Sequence, residues 1–126
     1  MRRLFTLAII IIAFGVGSSP QSAAAHARLV KAIPELGSVL RAVPPTVRLW
    51  FNEELEPSLS SVTVWGPRGV TTVAGTGGVD LYDLTRRSMV TTVRPLRAGV
   101  YTVRWRAGAV DDLAVTQGSY QFTVRP

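Results

Sequence analysis

Leu96-Arg97-Ala98-Gly99-Val100-Tyr101-Thr102-Val103-Arg104-Trp105-Arg106 is the stretch that decides the fold. From Val100 onward, Tyr101, Val103 and Trp105 fall on one side and Thr102, Arg104 and Arg106 on the other. An extended chain sends successive side chains to opposite faces, so this period of two marks a half-buried strand. Arg97-Ala98-Gly99 leads the chain into it. The same alternation recurs on both sides. Thr46 to Phe51 aligns Val47, Leu49 and Phe51; Ser61 to Trp65 aligns Val62 and Val64; Ser119 to Arg125 aligns Tyr120, Phe122 and Val124. Val79 to Leu84 and Ser88 to Val93 read as two adjoining strands around a polar corner at Thr85-Arg86-Arg87, and a short strand near Arg28 to Ala32 makes about seven. Pro34-Glu35-Leu36-Gly37 has the residue order of a tight turn, Pro44-Pro45 ends a connection, and Gly75 to Gly78 reads as a loop. Short strands separated by turn signals predict an antiparallel sandwich or barrel, with the Trp105 and Phe122 faces in its core.

Upstream of the first strand the pattern changes. Met1-Arg2-Arg3 is basic, Leu4 to Gly17 carries no charge, and Ser18 to Ser22 is a polar break before Ala23-Ala24-Ala25. This order is that of a secretory leader. The apolar run is shorter than the ~20 residues a membrane-spanning helix needs. Residues 1–25 are therefore expected to be removed, leaving one domain over residues 26–126 in the periplasm or outside the cell, with no stable membrane insertion.

That segment keeps 12 of the 14 cations and all 8 acids, a net charge of +4. Its cations are scattered, without a basic arm or an aromatic-interleaved stripe, so nucleic acid is not expected as a partner. There is no Cys, which excludes disulfides, thiolate metal sites and thiol catalysis. About 100 residues suffice to build a core without such staples. Gly75-Thr76-Gly77-Gly78 lacks the following helix pattern and the Lys of a phosphate loop.

The chain holds one His, and it is the first residue after the expected cleavage. A terminal His offers a metal two nitrogens in one small chelate ring, the α-amine and the nearer ring nitrogen. The amine has an ordinary pKa of about 7.7–8.0, so a metal must displace its proton. Nitrogen-rich tetragonal coordination suits Cu(II). The alternative is that His26 is merely the residue that follows the cleavage site.

His26-Ala27-Arg28-Leu29-Val30 followed by Ile33-Pro34-Glu35-Leu36-Gly37 resembles the opening of CopC-type copper-resistance proteins. Val47-Arg48-Leu49-Trp50-Phe51-Asn52-Glu53 looks like that family's strand ending in Phe-Ser-Glu. Leu96 to Arg106 resembles its Leu-x-x-Gly-x-Tyr-x-Val-x-Trp-Arg segment, and Gly118 to Val124 its closing strand. The resemblance implies an all-β, immunoglobulin-like Greek-key β-sandwich that is exported and carries or buffers copper, with a membrane copper transporter as a candidate partner. It also implies a ligand set: His26 through amine and ring, an Asp at Asp112 or Asp111, and Glu53 nearby. The loop from Val110 to Gly118 is one residue longer than the family's pattern, so both Asp positions stay open.

The family's second His, placed in an Asp-x-His pair, is missing; Leu113 or Ala114 stands there. The family's Met-rich Cu(I) site is missing too, since Met89 is the one Met after residue 25. The expected function is an incomplete Cu(II) site on a non-enzymatic domain. The alternative is an interaction module that has lost metal binding, using Tyr82, Trp50, Trp65 and the Arg faces. An oxidative copper enzyme needs a second His in the metal plane, which this chain lacks.

Overall fold

The computed structural model describes residues 26–69 and 75–126. The leader expected over residues 1–25 lies outside them. Eight strands follow in chain order: β1 Leu29–Ile33, β2 Val39–Leu40, β3 Thr46–Phe51, β4 Ser61–Trp65, β5 Gly78–Val79, β6 Ser88–Thr92, β7 Gly99–Gly108 and β8 Val115–Val124. They form two four-stranded sheets, in the orders β1-β3-β6-β5 and β2-β8-β7-β4. All pairs are antiparallel except β2 with β8. The β-sandwich expected from the alternation is therefore present, with β2 and β5 as two-residue strands. No helix among the described residues is long and apolar enough to cross a membrane.

The inner faces are those the period of two selects. Val47, Leu49 and Phe51 from β3 meet Val62 and Val64 from β4, Tyr101 and Val103 from β7, and Phe122 and Val124 from β8, all buried. Removing such side chains from water stabilises by roughly 1.5–3 kcal/mol each. Tyr101 stacks on Phe122 at 5.6 Å, and Phe51 meets the edge of Trp105 at 5.2 Å. Leu55 and Ala109, paired in an isolated bridge, close one end of the core.

Three readings need correction. Val79–Leu84 is not a strand beyond Val79. Local hydrogen bonds win there: the Asp80 carboxylate accepts the Tyr82 N–H at 3.0 Å, and Asp83 accepts the Thr85 N–H at 3.0 Å and hydroxyl at 2.8 Å. Asp side chains compete in this way with ladder bonding. Gly77 and Gly78 are not loop; Gly77 bridges Val62 and Gly78 opens β5. Finally, β8 begins at Val115 rather than Ser119. Gly118 lies within it because the Trp105 ring covers the space a side chain would fill; a Cβ there would lie 2.5 Å from the indole.

The tight turn expected at Pro34–Gly37 is present one residue later, over Glu35–Ser38. The Ser38 N–H donates to the Glu35 carbonyl at 3.1 Å, and Gly37 has φ +70°, which a third-position turn residue of this type requires.

Candidate metal centre

The site end of the sandwich is built from three segments: the arm 26–28 before β1, the turn 52–56 after β3, and the 109–114 connection between β7 and β8. The arm is clamped from two sides. The Arg28 N–H donates to the Asn52 Oδ1 at 2.6 Å, and the Asn52 N–H returns to the Arg28 carbonyl at 3.1 Å. The Thr116 hydroxyl donates to the Ala27 carbonyl at 2.6 Å, and Ala27 is buried. The connection is a tight turn. The Leu113 N–H reaches the Ala109 carbonyl at 2.9 Å, the Ala109 N–H reaches the Ala114 carbonyl at 3.2 Å, and Leu113 takes φ +56°. The Val110 N–H donates to the Glu54 carbonyl at 3.0 Å, joining the connection to the 52–56 turn.

These bonds bring His26 and Asp112 together. His26 Nδ1 lies 3.9 Å from Asp112 Oδ2, with side chains 53% and 29% exposed. The other oxygen, Oδ1, accepts the Ala114 N–H at 2.9 Å, which orients the carboxylate. Asp111 is exposed and Glu53 half-buried, and neither side chain forms a hydrogen bond or ion pair among the described residues. Among the described residues no three His, Asp or Glu side chains converge as a preformed metal cage.

The donor types fit Cu(II): an imidazole nitrogen, the terminal amine that processing would free, and a carboxylate oxygen. Adjacent positions of a tetragonal site with bonds of about 2 Å lie about 2.8 Å apart. To hold one ion together, His26 and Asp112 would have to close by about 1 Å, a motion their exposure permits. Leu113, 60% exposed, and Ala114 add no donor. Met89 is fully buried and cannot serve a surface Cu(I) site.

Two positioning residues, Asn52 and Thr116, were not legible in the sequence. Asn52 is the residue after the Phe51 strand end, where a polar side chain is unremarkable. Thr116 lay in a stretch read as loop.

The family model for the CopC domain matches residues 29–125. The chain belongs to the CopC family. It is 36% identical to copper resistance protein C of Escherichia coli, with 82% of this chain and 85% of that protein covered. Protein YobA of Escherichia coli strain K12 is 29% identical, with 80% of each covered. The crystal structure of CopC from Methylosinus trichosporium OB3b superposes with a TM-score of 0.71 at 30% identity, over 80% of this chain and 95% of that one. That of PcoC, a methionine-rich copper resistance protein from Escherichia coli, gives 0.61 at 33% identity, over 80% and 100%. This CopC domain shares the sandwich with both.

The aromatics considered for an interaction role are placed differently from one another. Trp50 lies beneath Lys31 at 4.9 Å and Trp65 beneath Arg104 at 4.8 Å. Tyr82 is 96% exposed.

Proposed function

We propose that the processed chain is an exported copper-handling protein. It binds one Cu(II) at His26 and carries or buffers it in copper tolerance, without catalysing a reaction. The observation that carries this reading is the clamped arm that sets His26 Nδ1 3.9 Å from Asp112 Oδ2. The terminal amine and Nδ1 close a chelate with little entropy to lose, and Asp112 supplies charge and a third donor. Glu53 and Asp111 lend negative charge from the flanking turns. The position that a second imidazole would take is left to water, so affinity falls below that of relatives keeping both His. A membrane copper transporter is the partner that would receive the ion. With one imidazole in the chain, the metal plane of an oxidative copper enzyme cannot form.

The test is a Cu(II) titration of protein that begins at His26, followed by electron paramagnetic resonance. One Cu(II) per chain with nitrogen coupling is expected. If His26→Ala binds Cu(II) as well as the parent does, the assignment is wrong. If neither binds at micromolar copper, the interaction-module reading replaces it.

A further inference from the structure

The segment between β5 and β6 carries the largest apolar side chains left in solvent. Leu81 is 61% exposed, Tyr82 96% and Leu84 99%. Single exposed apolar residues are ordinary, but three within four positions on one projecting loop are not. This loop is also held in one shape. Asp80 accepts the Tyr82 N–H at 3.0 Å and pairs with the Arg48 guanidinium at 2.8 Å. Asp83 accepts from Thr85, the Arg87 N–H at 3.2 Å and the Ser88 hydroxyl at 2.7 Å. The Arg86 N–H closes a turn onto the Asp83 carbonyl at 3.0 Å.

Both carboxylates of the loop are thus spent on its own framework. What faces outward is Leu81, Tyr82, Leu84, Arg86 and Arg87, and no carboxylate among the described residues forms an ion pair with either arginine. We infer that the Asp80–Arg87 loop docks on the headgroup layer of an anionic lipid bilayer. The leucines and the Tyr82 ring enter the interface, where an aromatic body with a polar tip is well suited. Arg86 meets lipid phosphates, and so do the Arg87 donors left over from its bond to the Asn52 carbonyl. A projecting tip with side chains exposed on nearly all sides suits a fluid surface, which needs no complementary pocket, better than a second folded chain.

The loop is tied to the metal-site end. The Phe51 N–H donates to the Arg87 carbonyl at 2.8 Å, the Leu55 N–H to the Arg86 carbonyl at 2.9 Å, and Arg87 Nη1 to the Asn52 carbonyl at 3.0 Å. Asn52 also clamps Arg28. Docking by the loop therefore brings the His26 end near the membrane. This goes beyond the copper reading and is tested without copper.

The experiment is co-sedimentation of the exported protein with vesicles of phosphatidylcholine plus phosphatidylglycerol, and with phosphatidylcholine alone, at low and raised salt. Partition into the anionic vesicles is expected, weakened by salt. The double variant Tyr82→Ser, Leu84→Ser should lose at least about tenfold in partition while retaining its circular dichroism spectrum. Arg86→Gln should lose about fivefold, the effect of one cation at an anionic surface. Failure of the parent to sediment, or equal sedimentation by the double variant, overturns the proposal. So does partition that requires vesicles carrying membrane protein, which would make a protein the occupant.

Discussion

With Asp112 taken as the Asp of the family's Asp-x-His pair, Ala114, two residues on, stands where the imidazole would be. Its N–H is held by the Asp112 carboxylate. Ala114→His should therefore return a nitrogen donor next to His26 and tighten Cu(II) binding by at least about tenfold. Competition titration reads the change, and unchanged affinity would remove Asp112 from the ligand set. Leu113→His is the useful contrast, because Leu113 takes φ +56° whereas Ala114 directly precedes β8. A second residue prediction concerns Tyr120. It is buried, and its hydroxyl has no hydrogen-bond partner among the described residues. Burial pushes its pKa far up. An unsatisfied buried hydroxyl costs about 1–3 kcal/mol. Tyr120→Phe should thus raise stability by about 1 kcal/mol in thermal unfolding; a loss would reveal a partner for the hydroxyl.

The β7–β8 ladder runs from Gly99 with Val124 to Gly108 with Val115 and is the longest among the described residues. It depends on Gly118 lying under Trp105, whose ring is in turn held against Phe51. Gly118→Ala should cost about 1–3 kcal/mol, since the added Cβ would lie 2.5 Å from an indole packed against Phe51. Urea unfolding measures it. The Asp80–Arg87 loop carries a pH dependence. The Ser88 hydroxyl first, with Thr85 and the Arg87 N–H after it, holds the Asp83 carboxyl at about 2, against an ordinary 3.8. The Arg48 hydrogen bond lowers Asp80 in the same sense. A depressed carboxylate stabilises the fold above its unfolded pKa, and that stabilisation is lost as pH falls through the folded value. The melting temperature should therefore drop between pH about 4 and about 2, and less steeply in Asp83→Asn. The strands with clean alternation, β3, β4 and β7, were legible because each buries one face. The run Val79–Leu84 was not, because its apolar residues face water while Asp80 and Asp83 bond the backbone locally. Val115–Gly118 was misread as loop because Gly118 signals a break until Trp105 is known to cover it. His26, Asp111 and Asp112 were readable as ligand candidates, but that Asp112 comes within 4 Å of His26 needed the turn geometry.

At the scale of the whole molecule, the arm, the 52–56 turn and the 109–114 connection converge from distant parts of the sequence. The proposed copper site would exist as a unit only with the sandwich closed and His26 as the first residue. Adding one residue before His26 converts its amine into an amide and should nearly abolish Cu(II) binding, with the fold unchanged. Calorimetric titration of the extended and processed forms checks this. In the processed form, binding should weaken as pH falls, since protons compete for both nitrogens. The clamp on Ala27 has a further consequence. An exopeptidase must draw a chain terminus, extended, into its own active site. Here the carbonyl of the second residue of the processed chain is bonded to Thr116 and the next residue to Asn52. With the leader removed as expected, the sandwich would thereby withhold its own end from trimming and keep its one imidazole where free termini are digested.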